Sequence, residues 1–467
     1  MIRITDKSKC TGCTACVSAC PRQCIVMRRD REGFDYPVAN PDLCIGCGKC
    51  DAICPVHNPG HSSEPLEAYA ARVPEYLNGS SSGGVFPKLA ENALKTGGIV
   101  FGAVMNDDMT VGHSEAETLD EMQRMRGSKY VQSDMYSAYE DARTYLDEGR
   151  GVFFTGTPCQ ITGLKKFLRK DYDNLLTVDV VCHGVPSPFV WKKYLDEMCP
   201  KGKITDISFR DKTNGWSKYG FRLRSSAIKE SCLLQPSSEN VFMSSFLSHL
   251  SLRPSCHSCP SKSGKSESDL SIADFWGIEK YNSKFADNKG TSAVLVNTNK
   301  GKELLDKTDA LKEEHPLEQF KREVTTYYRS VEAHPRRSEF FERLDTTPLR
   351  ELVDEYAPKK KPARKSLLKR IVHRIIPNDF RIIWDKPGQT CNRLWSYLDT
   401  IGWSVRTQNK TYVLFWDRDI KHFDHLQLDK QLHRRSYDID VRIRNNRKHL
   451  LVVRHSITKA ERAFVRH

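Results

Sequence analysis

The 467-residue chain lacks any apolar run near the roughly 18 residues that a membrane-spanning helix requires. An apolar export leader is not expected either, because Met1 to Lys9 runs almost directly into the first cysteine motif. Together these absences make a cytoplasmic, reducing setting the expectation. There, the 16 cysteines suggest metal ligands rather than disulfides. Most of the chain also lacks an excess of either charge. The formal net charge is +14, yet the first 358 residues hold 47 basic and 49 acidic side chains. From Lys359 onward there are 26 basic and 10 acidic ones. Basicity confined to a tail argues against nucleic acid as the partner. Such a tail can make peripheral contact with an anionic membrane surface, although a solvated segment is the plainer reading.

What is present begins with two copies of one motif. Cys10, Cys13, Cys16 and Cys20 precede Pro21, and Cys44, Cys47, Cys50 and Cys54 precede Pro55. This C-x2-C-x2-C-x3-C-P run binds cubane iron–sulfur clusters, and the fourth cysteine of each run ligates the other cluster. The spacing therefore assigns Cys10, Cys13, Cys16 and Cys54 to cluster I, and Cys44, Cys47, Cys50 and Cys20 to cluster II. Two matching runs make disulfides or paired zinc sites poor explanations. The chain handles electrons.

Residues 1–60 are expected to form this ferredoxin-type domain, and the Pro/Gly/Ser-rich stretch 57–67 a linker. An α+β fold follows, with an α/β domain on a mixed sheet split into parts at 65–150 and 151–335. Strands are expected at 99–104, 151–155, 175–181 and 269–274, and helices at 160–170 and 189–198. In the first part, Ser81-Ser82-Gly83-Gly84 leads into a helical pattern, which suits either a phosphate cradle or an ordinary turn and cap. Gly127-Ser128-Lys129 is a second small loop of the same kind. In the second part, ligands collect beyond the carboxyl ends of parallel strands. Cys159 and Cys182 fall there, and Cys256 and Cys259 form a C-x2-C clamp. These four suit a third cluster, with zinc as the alternative metal. Cys24, Cys199, Cys232 and Cys391 have no spacing partner and read as ordinary.

Several loops stand in a familiar order: Ser81 to Gly84, Gly127 to Gln132, Gly156-Thr-Pro-Cys-Gln160, Cys182 to Ser187, Arg210-Asp-Lys212 with Gly215-Trp216, and Ser268 to Gly277. With the N-terminal motifs, they resemble the family of beta subunits of coenzyme F-420 hydrogenase/dehydrogenase over residues 1 to about 335. The resemblance implies an iron–sulfur flavoprotein in which clusters exchange electrons with FAD, and FAD exchanges a hydride with a deazaflavin or another substrate. By the same resemblance, Cys159, Cys182, Cys256 and Cys259 would hold the additional 4Fe-4S cluster. Ser81, Ser82, Gly83, Gly84, Gly127, Ser128 and Lys129 would lie near the flavin. Asp269, Asp274 and Lys212 are candidates for tuning the flavin or substrate, and equally for strand-edge structural roles. No residue pattern suggests nickel, so hydrogen activation by this chain alone is not expected.

Residues 336–376 read as a basic helical linker. Residues 377–467 read as a truncated or disordered tail, whose Gly388 to Leu394 stretch is similar to the opening of fucosyltransferase-like enzymes. That similarity hints at a surface-polysaccharide setting. The leading expectation is an oxidoreductase fed by a soluble carrier or redox partner protein and acting on a small molecule. The alternative is an electron-transfer subunit that has no substrate of its own.

Overall fold

The computed structural model describes residues 1–200, 202–228 and 231–357, together with the strands at 405–408, 411–416, 437–444 and 448–455. The chain divides into one unit over Met1–Lys359 and another over Lys360–His467.

The first unit opens with an antiparallel hairpin of β1 (Ile25–Arg29) and β2 (Asp35–Ala39), which carries the first cysteine motif into the second. The main sheet starts with β3 (Glu67–Arg72), β4 (Ile99–Met105), β5 (Val111–Ala116), β6 (Val152–Gly156) and β7 (Leu175–Val180). A separate antiparallel sheet follows, with β8 (Ile204–Asp211), β9 (Gly220–Ser225) and β10 (Cys232–Pro236). The main sheet resumes with β11 (Leu270–Asp274), β12 (Ser292–Val296) and β13 (Leu311–Glu314), giving the order β13-β3-β12-β11-β7-β6-β4-β5. Its centre is parallel across β11, β7, β6 and β4, and its flanks are antiparallel. This is the mixed sheet expected of an α+β chain.

The parallel strands are apolar because helices cover both faces. Phe153 and Phe154 are fully buried on adjacent positions of β6 and join different core clusters. The helices after β6 and β7 start for a local reason. Pro158 and Pro188 occupy first-turn positions where a missing N–H costs nothing, and Thr157 and Ser187 cap them. These starts fix the loops bearing Cys159 and Cys182.

Two expectations change. The segment from 336 onward is not solvated throughout. Helices Arg337–Arg343 and Leu349–Tyr356 bury Phe340, Phe341, Leu349, Leu352 and Val353 in the largest core cluster. Apolar spacing on two short helices gave that face, and the surrounding charges concealed it. The tail, read as truncated or disordered, also holds order: its four described strands make an antiparallel sheet in the order 405–408, 411–416, 448–455, 437–444. Residues 358–404, including the second part of the expected linker and Cys391, lie outside the described residues.

Candidate redox site

The N-terminal cysteines line two cavities. Cys10, Cys13, Cys16 and Cys54 share one, and Cys20, Cys44, Cys47 and Cys50 share the other. Each cavity takes three cysteines from one motif and the fourth from the other, the crossed grouping that the spacing called for. Cys13 is buried, whereas Cys47 is exposed, which places the second cavity nearer solvent at that ligand. Burial pushes the Cys13 thiol up to about 11. Such a thiol loses its proton only when metal takes up the charge. Cys24, read as ordinary, stands on the wall of the second cavity with its Sγ 3.4 Å from that of Cys20. The C-x3-C step from Cys20 to Cys24 was the available signal.

The other four cysteines come from three loops. Cys159 is the second residue of helix Pro158–Leu168, and Cys182 follows β7. Cys256 and Cys259 lie in and just after the 3-10 turn Pro254–Ser258. They interact with one another: burial, then Cys259, Cys182 and Cys256, push the Cys159 thiol well above its usual range. Burial and then Cys182 push Cys256 to about 12. Among the described residues, no three Cys, His, Asp or Glu side chains close around a point as a single ion requires. The same is true of the two N-terminal cavities, where a four-iron body rather than one ion belongs. Lys262 is held beside this set, donating to the Cys182 and Thr326 carbonyls.

One helix joins the two regions. A Cβ added at Gly163 would lie 3.1 Å from Cys13 Cβ and 3.3 Å from Cys13 Sγ. Cys159 lies one turn earlier on the same helix, about 6 Å along its axis. Only a glycine lets the helix approach a cluster ligand so closely. Sequence reading missed Gly163, because nothing in its helical pattern marks it.

The two small loops also meet. Ser81 Oγ accepts from the Ser128 amide at 2.8 Å and from Ser128 Oγ at 2.9 Å. Arg210 donates to the Ser81 carbonyl at 3.3 Å and to both Asp274 oxygens at 2.7 and 3.1 Å. Trp216 donates to Asp274 at 2.8 Å and stacks on Trp276 with ring centroids 4.4 Å apart. Asp274 ends β11, so this group occupies the carboxyl end of the parallel strands. Burial, reinforced by Arg124, lowers Lys129 to about 7. Burial, reinforced by Arg210, lowers Lys212 to about 8.

Not every candidate is free for a ligand. The Gly83 amide donates to Ser292 Oγ, Ser82 Oγ donates to the Thr291 carbonyl, and Gly84 caps helix Val85–Lys95 in a left-handed conformation. Lys212 Nζ donates to the carbonyls of Leu77, Ser82 and Lys289. Asp269 lies at the opposite end of β11 from Asp274, accepting from Thr177 and Thr298, and therefore ties strands together. The buried Ser80 Oγ, Arg126 Nε and Arg210 Nε, by contrast, have no hydrogen-bond partner among the described residues. These are donors suited to an anionic group between the loops.

A two-cavity ferredoxin module packed on a mixed sheet, with further cysteines at its parallel strand ends, defines an iron–sulfur electron-transfer protein. Comparison with known proteins is more specific. Residues 9–58 match the 4Fe-4S dicluster domain, and residues 149–318 match the domain described as the C terminus of the beta subunit of coenzyme F420 hydrogenase/dehydrogenase. The chain thus joins an N-terminal 4Fe-4S dicluster domain to a domain similar to the C terminus of F-420 hydrogenase/dehydrogenase beta subunits. It is 24% identical to the F subunit of the F(420)H(2) dehydrogenase of Methanosarcina mazei, over 43% of this chain and 60% of that one. It is 43% identical to a 7Fe ferredoxin of Hydrogenibacillus schlegelii, over 11% of this chain and 62% of the ferredoxin. A chain of the F-420-reducing [NiFe] hydrogenase complex from Methanosarcina barkeri aligns at 20% identity. That alignment covers 64% of this chain and 90% of the other, with a TM-score of 0.38, too loose a likeness to argue from. The chain spans 56 to 62% of the length of the curated relatives it matches first. No helix among the described residues is long and apolar enough to cross a membrane.

Proposed function

We propose that the chain is an iron–sulfur flavoprotein oxidoreductase of the cytoplasm. Electrons arrive from a soluble carrier or redox partner at Cys20, Cys44, Cys47 and Cys50. They pass through the Cys10, Cys13, Cys16 and Cys54 group to a third 4Fe-4S site at Cys159, Cys182, Cys256 and Cys259. The observation that carries this reading is the convergence of those last four cysteines beside a helix that touches Cys13. The Ser81–Ser128 junction and the open Ser80 Oγ, Arg126 Nε and Arg210 Nε donors support a flavin position next to it. FAD held there would supply hydride chemistry on one side and single-electron chemistry on the other, matching an organic or deazaflavin substrate to one-electron clusters. Beside that position, Arg210 pairs with Asp274, and Trp216 stacks on Trp276.

The second reading is an electron-transfer subunit serving a partner enzyme. It is favoured by the relation to a protein named as one subunit of a dehydrogenase. The test is anaerobic purification of the full chain, followed by flavin quantification and reduction by a low-potential donor with no partner protein added. About one FAD per chain, reduced through the clusters and reoxidised by a small acceptor, is the expected result. A chain with full iron content and no flavin overturns the flavoenzyme reading and leaves the electron-carrier role.

A further inference from the structure

Buried cations need counter-charges, and among the described residues three of the four arginine and lysine side chains most hidden from solvent have them. Arg72, Lys88 and Arg210 are each 6 or 7% exposed. Arg72 pairs with Asp287, Lys88 with Glu75, Glu91 and Asp309, and Arg210 with Asp274. Arg253 is more deeply buried than any of them, at 0% exposure. Among the described residues, no carboxylate forms an ion pair with it. Its Nε donates to the Cys10 carbonyl at 2.8 Å, and its Nη atoms donate to Gln132 Oε1 at 3.0 Å and the Asp35 carbonyl at 2.9 Å. One Nη also lies 3.7 Å from Cys10 Sγ. The guanidinium stacks on Tyr36, 4.3 Å from the ring centroid. A Cβ at Gly12, inside the first cysteine motif, would fall 2.8 Å from its Nη.

A cubane held by four thiolates is anionic in both oxidation states and gains one further negative charge on reduction. We propose that the Cys10, Cys13, Cys16 and Cys54 cluster is the counter-ion of Arg253, and that Arg253 in turn raises the reduction potential of that cluster. Both its charge and its Nη–H···Sγ contact favour the more negative, reduced state. Arg253 also immediately precedes the turn that carries Cys256, while its side chain reaches Cys10, so it joins the two cysteine sets and favours electron residence at the Cys10, Cys13, Cys16 and Cys54 cluster. The inference rests on the dicluster assignment alone and is independent of flavin.

The test is a potentiometric titration of the full-length chain followed by electron paramagnetic resonance. The wave of this cluster is identified by the spectral change in Cys10→Ser. Arg253→Gln is expected to lower its one-electron reduction constant at least about tenfold, about 59 mV, while Arg253→Lys recovers part of the shift. Arg253→Gln removes a core anchor as well as a charge, so Gln132→Glu provides the second probe. This near-isosteric change gives the guanidinium a carboxylate partner and is expected to move the same wave downward. A wave that stays put in Gln132→Glu, or in an Arg253→Gln chain retaining the parent's iron, overturns the proposal and leaves Arg253 a clamp between domains. A parent chain with far fewer than about eight irons contradicts the dicluster assignment instead.

Discussion

Gly163 shows how small the margin is at the residue scale. Tyr139 Oη would lie 2.7 Å from a Cβ placed there, and Cys13 barely farther. Gly163→Val is therefore expected to lower stability by about 1–3 kcal/mol through overpacking. It should also reduce iron retained by the Cys13 set, as read by thermal unfolding and iron assay on the same sample. Asp274 makes a different kind of contribution. Asp274→Asn leaves the buried Arg210 without its counter-charge, which costs about 3 kcal/mol in chemical denaturation. Loss of bound flavin should accompany it. The contrast with Asp269 was not visible in sequence. One aspartate immediately precedes β11 and the other ends it, so five positions apart they lie at different ends of the sheet.

At the scale of elements, the sequence was most legible where one strong local rule acted. Strict cysteine spacing gave the crossed grouping now visible in the two cavities. Continuous apolar runs gave the parallel strands, within a residue or two at each end. Contacts between elements were not legible. Arg253, Gln132 and Gly163 act across more than 100 residues of chain, and nothing local announces such partners. His113 is another case: buried on β5, it bonds Thr155 and Ser133, and burial lowers it to about 4. Its ordinary value is near 6.5, so between these limits the unfolded chain holds the extra proton. Stability from neutral His113 is complete above about pH 6.5 and is lost as pH falls toward 4. His113→Gln should flatten that acid-side decline relative to the parent when both are followed by thermal unfolding.

For the whole molecule, the N-terminal module and the mixed sheet form one unit, and the basic tail belongs to another. Under the proposed route, everything that moves electrons lies before residue 358. A chain ending at Pro358 is thus expected to keep its iron and flavin unchanged. A loss of either would assign the tail a part in holding the redox groups. The central claim is that electrons cross from the paired N-terminal clusters to a third cluster at Cys159, Cys182, Cys256 and Cys259. It is tested most directly by counting iron and acid-labile sulfide in the anaerobically purified parent and in Cys159→Ala. About twelve irons in the parent and about four fewer in the variant are the expected result. About eight irons in both would contradict the third cluster and leave a two-cluster carrier on a scaffold of another purpose.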